Sequence, residues 1–196
     1  MTAETFAIGG LGFGAEEVVS TSVLHKAWSS RFEDVRRNGN WGARAFSVDF
    51  NHQSMDGWLD NVRTASYVPG VGTWTSCRVY LYPDAEGRLE VFDGEILQPD
   101  SETVIPDRPA DAMTLSLDLI AYPRTVDNIP DWMWTVFRAE NVIPPFYNPE
   151  AKTVVWDNKR LPVGENGTDL TLTPTIVDPS KEPGFWTTLS KKIFGK

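Results

Sequence analysis

Between Ala43 and Ala65 the spacing of apolar residues changes abruptly, and this limits the folds open to the chain. In ARAFSVDF, Phe46, Val48 and Phe50 alternate with Ala45, Ser47 and Asp49, the period of a strand with one buried face. Burying those three side chains contributes roughly 1.5–3 kcal/mol each before entropy is subtracted, enough to anchor a sheet. After Asn51, Met55, Trp58, Leu59 and Val62 stand at i, i+3, i+4 and i+7, one stripe of an amphipathic helix. Ser54 is the predicted N-cap, with Asp56 in the first turn, where the helix dipole favours an acid. A strand running straight into a helix calls for an α+β fold.

The rest of the chain tips that balance towards β. Tyr67 to Thr75 (YVPGVGTWT) is a Pro/Gly loop. Ser76 to Tyr82 alternates, PDAEGR turns, and Leu89 to Ile96 returns, which predicts a hairpin. Gly87 is placed to supply a positive φ in the turn, and Gly94 to mark a bulge. A loop with Pro99, Pro106 and Pro109 and several acids follows. Met113 to Tyr122 is then predicted as a strand, with Leu115, Leu117 and Leu119 on one face and Thr114, Ser116 and Asp118 on the other. A boundary is expected in PRTVDNIP, giving a β domain over 1–125 and an extension over 126–196. In the extension, Pro130 opens a short helix, Thr153 to Trp156 is a strand, and Leu170 and Leu172 alternate with Thr. Trp186, Leu189 and Ile193 lie on one helical stripe near the C-terminus, suited to docking on a neighbouring subunit.

Two N-terminal stretches admit functional readings. TFAI is a short strand candidate, and Gly10, Gly12 and Ala15 after it match a loose dinucleotide-binding fingerprint. The β-branched Val18, Val19, Thr21 and Val23 argue against the helix that fingerprint needs, and Glu16 and Glu17 would repel a pyrophosphate. A Gly-rich connection between strands is the expectation. From Leu24 to Gly42, Arg31, Arg36 and Arg37 are interleaved with Trp28, Phe32 and Trp41. With Glu33 and Asp34 adjacent, this is expected to be a loop of paired arginines rather than a nucleic-acid patch. Trp28, Arg31, Arg36, Arg37, Trp41, Trp74 and Trp186 are the candidate subunit-interface residues, since Trp and Arg dominate interface hot spots.

A net charge of −9 disfavours gripping nucleic acid or anionic membranes, yet suits a surface past which DNA slides without sticking. Cys77 is the single cysteine, so no intrachain disulfide forms, and a buried, inert thiol is expected. No stretch has the length of a membrane span, and MTAETFAIGG has neither the basic start nor the apolar run of a signal peptide. Synthesis and assembly in a cytoplasm are expected. His25 and His52 are the obvious general-base or metal candidates; Asp49, with Asp56 near, could pair with His52, but no third ligand stands at metal spacing and no nucleophile motif accompanies them, so a surface-loop histidine is the expectation for His52. No enzyme activity, metal or cofactor is expected.

Residues 43–125 therefore run strand, helix, Gly-rich loop, hairpin, acidic loop, strand. This order resembles the tube proteins of contractile bacteriophage tails and their baseplate relatives. The matching stretches are FSVDFNHQSMDGWLDNV, CRVYLYPDAEGRLEVFDGEI and DAMTLSLDLIAY. The resemblance implies a tail-tube-like β-sandwich or barrel with one short packed helix, whose subunits close into a ring, hexameric in that family. It implies a virion structural protein, with further tube, sheath, baseplate or terminator proteins as partners and only passive contact with translocating DNA. Asp49, Glu90 and Asp118, opposite the apolar faces of their predicted strands, become candidate lumen residues. The part before Ala43 is short for the family, and 126–196 is an addition that suits a specialised ring. A distal-tail, hub or terminator protein of a non-contractile tail is the related alternative. A carbohydrate-binding β-sandwich, stacking sugars on Trp74, is the alternative of another class.

Overall fold

A computed structural model describes residues 5–8, 10, 12–26, 29–42, 52–94 and 110–178. The fold is α+β and mainly β, with two sheets among the described residues. The chain divides into two compact units, and not at residue 125. The first comprises Met1–Leu24, Trp28–Arg63 and Trp74–Asp107; the second comprises His25–Ala27, Thr64–Thr73 and Arg108–Lys196.

The first unit is built on an antiparallel sheet. Its strands are β1 (Glu17–Leu24), β2 (Ser29–Arg37), β3 (Asn40–Trp41), β4 (Ser76–Leu81) and β5 (Arg88–Phe92), in the order β3-β2-β1-β4-β5. β1 is central, and Val18 through Leu24 are buried without a break. The β-branched run therefore forms a strand covered on both faces. The preceding glycines lead into this strand rather than into a helix, so the dinucleotide fingerprint lacks its phosphate-binding helix terminus. TFAI is not a strand, because Thr5 and Phe6 form a helical turn.

The stretch from Leu24 to Gly42, expected as a loop, is largely strand β2. Asn38 (φ 51°) and Gly39 (φ 74°) make a two-residue turn, with Arg37 opposite Asn40 and Arg36 opposite Trp41. Both turn residues need the left-handed region, which Asn tolerates and Gly adopts freely. This turn doubles the chain back and places Trp41 on a strand.

Helix α1 (His52–Ala65) starts two residues before the predicted cap, so Ser54 lies inside it and no acid occupies its first turn. Met55 and Leu59 are buried as the stripe requires, while Trp58 is exposed. With Val18, Val35, Trp74, Cys77, Val79 and Leu81 these two form the unit's core. The hairpin β4–β5 forms as expected, with Val79 opposite Leu89 and Cys77 opposite Val91. Gly87 does not have a positive φ; a Cβ there would stand 2.9 Å from the Tyr80 carbonyl oxygen, so close backbone approach is what requires glycine. Gly94 closes the end of the hairpin, its N–H donating to Thr75 Oγ1 at 2.9 Å. The strand expected over Ala43 to Phe50 lies outside the described residues.

In the second unit the predicted strand over Met113–Tyr122 is a helix, α2 (Ala112–Ala121). The Asp111 side chain accepts the Thr114 N–H at 2.8 Å as N-cap, and the Ala112 N–H donates to Glu140 Oε1 at 3.1 Å. Leu115 and Leu119, one helical turn apart, are buried, whereas Leu117 and Met113 are exposed. Helix α3 (Asp131–Ala139) follows Pro130 as expected and buries Met133, Trp134 and Phe137. A small sheet has the order β10-β8-β7-β6, with β9 (Gly167–Thr168) beside β8. Its strands are β6 (Phe146–Asn148), β7 (Thr153–Trp156), β8 (Lys159–Gly164) and β10 (Thr175–Ile176). Leu170 and Leu172 lie in an exposed turn, not on the expected strand. Tyr67 and Tyr122 pack at 5.8 Å between ring centroids, and each hydroxyl is held, Tyr67 by the Pro123 carbonyl and Tyr122 by Thr64. Among the described residues no helix is long and apolar enough to cross a membrane.

Candidate functional site

Because strand side chains alternate between faces, the first unit's sheet has one face given to the core and another that carries polar and aromatic groups. Val18, Val35, Val79 and Leu81 belong to the core face. Val19, Thr21, Asp34, Arg78 and Tyr80 alternate with them and so occupy the opposite face. The register lines these up: Val19 stands between Asp34 and Tyr80, and Thr21 between Phe32 and Arg78. The result is a groove of about 300 Å³ lined by Val19, Thr21, Asp34, Trp41, Arg78 and Tyr80. Short side chains on β1 form its floor. Asp34 and Trp41 stand on the β2–β3 side, and Arg78 and Tyr80 on the β4 side.

The β4 side is held rigidly by cross-strand partners. The Tyr80 hydroxyl donates to Glu90 Oε2 at 2.8 Å, and the Arg88 guanidinium lies 4.1 Å from the Tyr80 ring centroid. Arg88 also pairs with the Glu90 carboxylate. Arg78 sits opposite Glu90 in the register and 5.7 Å from the Phe92 ring. These donors, the Tyr80 hydroxyl foremost and Arg88 after it, hold the Glu90 carboxyl below its ordinary range despite some desolvation.

Of the predicted site residues that the structure describes, Trp41 alone lines this groove. Glu90 lies on β5, part-exposed and engaged as described. Asp118 does not face a channel from a strand. It is buried on α2, where its Oδ1 accepts the Lys26 N–H at 3.0 Å. Arg31 is on β2 with its side chain covered, its Nε 3.9 Å from Glu33 Oε1, which places it away from a subunit surface. Arg36 pairs with Glu16 and Glu17 at 3.6 and 3.7 Å, and Arg37 donates to the Phe13 carbonyl at 3.5 Å. Trp41 is 52% exposed, the most open aromatic of the interface set among the described residues.

Trp74 is overturned as an interface or sugar-stacking residue: at 7% exposure it packs in the core, and its carbonyl accepts the Arg63 Nε–H at 2.8 Å. Asp49, Trp28 and Trp186 lie outside the described residues. His25 is buried, and the His52 side chain lies outside what is described. Cys77 is buried as expected, and burial pushes its thiol up to about 12. Among the described residues no group of three His, Cys, Asp or Glu is placed to hold a metal ion.

Val19, Thr21, Asp34, Arg78 and Tyr80 were not singled out by sequence pattern. The signal that could have found them is Asn38-Gly39, a strong hairpin dipeptide. Reading it as a turn would have put Asp34 and Trp41 on paired strands beside the β-branched run. No family model, curated protein or solved structure matches the chain.

Proposed function

We propose that this chain is a structural assembly subunit whose copies close into a ring, of the kind that forms the tube of a contractile phage tail or its baseplate. The observation that carries the reading is the position of β5. It is the last strand in the sheet order, and among the described residues its outer edge has no strand partner. An open edge is a row of unpaired backbone donors and acceptors, and joining edges between copies into one continuous sheet satisfies them. Val91, opposite Cys77 in the register of this strand, is exposed. The helix-then-hairpin order on which the tail-tube resemblance rests is retained in α1, β4 and β5. The resemblance loses its last strand, since Met113–Tyr122 is helical, and with it Asp118 as a lumen residue.

In this proposal Glu90, on the edge strand, contributes to a negative channel lining. A charge of −9 keeps passing DNA mobile. The partners are further copies of the chain and neighbouring tail proteins, and the site of action is the virion. Electron microscopy of the purified full chain, with light scattering at high concentration, tests it. Rings or stacked tubes are expected, and Val91→Lys, which places a charge on the pairing edge, is expected to abolish them. A strictly monomeric species with no rings would remove the proposal.

A further inference from the structure

The sequence holds two Asn-Gly pairs, Asn38-Gly39 and Asn166-Gly167, and the fold sets both at hairpin turns with the asparagine exposed. A glycine in that position leaves its backbone nitrogen unshielded by a Cβ, so the nitrogen can approach the preceding side-chain carbonyl carbon closely. In the reaction this permits, the glycine nitrogen bonds to Cγ of the asparagine and the Cγ–Nδ2 bond breaks. Nδ2 leaves as ammonia, taking up the proton that the nitrogen gives away. Water then opens the resulting succinimide at either carbonyl, giving aspartate or isoaspartate. One water enters and one ammonia leaves, with no change of oxidation state. Because the attacking nitrogen must lose its proton, its surroundings control the rate.

Those surroundings differ between the two turns. The Gly39 N–H donates to both carboxylate oxygens of Glu16, at 3.1 and 3.2 Å. A negative charge at that distance opposes deprotonation of the nitrogen, since a like charge disfavours an anionic form. The Asn38 carbonyl, for its part, accepts the Asn40 Nδ2–H at 3.2 Å, so the turn is held from two directions. At the other pair, Asn166 makes no side-chain hydrogen bond or ion pair among the described residues, and no carboxylate there accepts the Gly167 N–H. The glycine itself is required: its φ is 100°, and a Cβ on it would stand 2.4 Å from the Ala121 carbonyl oxygen. The packing that demands glycine at 167 thus keeps the path to the Asn166 side chain open. It also makes the product costly, because isoaspartate inserts an extra main-chain carbon directly ahead of this close contact.

We propose that Asn166 is a site of spontaneous deamidation, with water as the only co-reactant, and that Glu16 shields Asn38 from the same reaction. Conversion adds one carboxylate to the β8–β9 turn and loosens that turn where it packs on the end of α2. Neither turn includes the β5 edge, so this chemistry is independent of ring formation.

The test is incubation of the purified full chain at mildly alkaline pH, folded and in urea, with conversion at each asparagine read by peptide mass spectrometry. Hydroxylamine, which cleaves the chain at a succinimide, gives a second readout. In the folded chain Asn166 is expected to convert about tenfold or more faster than Asn38. In urea, where Glu16 no longer holds Gly39, that gap is expected to close. Asn166→Gln, at an exposed position, is expected to keep the fold, which circular dichroism checks, and to abolish conversion there, since its longer side chain would have to close a larger ring. Glu16→Gln removes the charge beside Gly39 and is expected to raise conversion of Asn38 in the folded chain about threefold or more. The isoaspartate fraction, separated by ion exchange, is expected to melt below Asn166→Asp, which carries the same charge without the longer main chain. Equal rates at the two asparagines in the folded chain overturn the proposal, as does an inert Asn166. A gap that persists in urea also overturns it, because the difference would then lie in the local sequence and not in the fold. If Asn38 is indifferent to Glu16→Gln, Glu16 is not its shield.

Discussion

Val18 to Leu24 and Met113 to Ala121 look alike as sequences and fold oppositely. Each sets apolar residues among Ser and Thr, and each satisfies a period of two over part of its length. The first is β1, hydrogen-bonded on both sides and buried on both faces. The second is α2, with Leu115 and Leu119 buried and Leu117 exposed. Two differences separate them. The first run is β-branched, which restricts χ1 in a helix, whereas the second is built on Leu and Ala, which favour one. The second also has an acid in place to cap it, Asp111, three residues ahead of the Thr114 N–H it accepts. Alternation of Leu with polar residues is thus a weaker strand signal than alternation of Val and Thr, because leucines at i and i+4 serve a helix equally well.

The sharpest way to break this comparison is truncation along α2. Leu115→Ala and Leu119→Ala are each expected to cost about 2–5 kcal/mol in urea unfolding. Leu117→Ala is expected to stay within about 0.5 kcal/mol. Equal losses at all three positions would restore the strand.

Next come the local devices that stop or turn each segment. Gly39→Ala forces a left-handed residue with a Cβ into the β2–β3 turn and is expected to destabilise the first unit by roughly 1–2 kcal/mol. Asp111→Ala is expected to cost about 1 kcal/mol through the lost cap, while Asp111→Asn retains most of it. Indifference to Asp111→Ala would mean that the cap does not decide the helix.

The third measurement concerns the β1–β4 pair, where Cys77 lies against Ser22. Burial raises its thiol from 9.0 to about 12. The neutral buried thiol therefore contributes stability in full below pH 9, and that contribution is lost as the pH rises through 12. The native chain is expected to resist an aromatic disulfide reagent at pH 8 and to react on adding urea. Rapid reaction without denaturant would mean that the strand pair opens readily.

The smallest effect belongs to Glu90. Its native carboxyl is held below the ordinary 4.5, so the hairpin gains from it in full above that value and loses the gain as the pH falls through the lower native one. Glu90→Gln is expected to flatten this acid-side dependence slightly in a thermal-melt series. An unchanged profile would indicate that the carboxylate is held no better in the hairpin than in the unfolded chain.

Legibility followed the range of the contacts involved. The hairpin over Ser76 to Phe92 was readable because alternation and a Pro-Asp/Gly turn are written within seventeen consecutive residues. Helix α1 was readable from its stripe, and the burial of Cys77 from its apolar neighbours. Strand β2 is not legible because its charged residues mimic a loop; Glu33 and Arg31 are covered in the folded chain, and nothing in their local sequence says so. Trp74 was misplaced for a related reason. A tryptophan in a Gly-rich loop carries no local sign of whether it faces inward or out.

By itself the sequence determined a mainly β chain, the hairpin, the first helix and a thiol kept out of reach, because each depends on neighbours a few residues apart. Only the tertiary structure decided that Met113–Tyr122 is helical and that Trp74 is core. It also made a groove from Asp34, Trp41, Arg78 and Tyr80. Those residues are drawn from strands far apart in the chain and become neighbours through lateral pairing with β1 and the turn at Asn38-Gly39. The physical reason is that hydrogen bonding between strands is indifferent to sequence distance, whereas every pattern readable in a sequence is local.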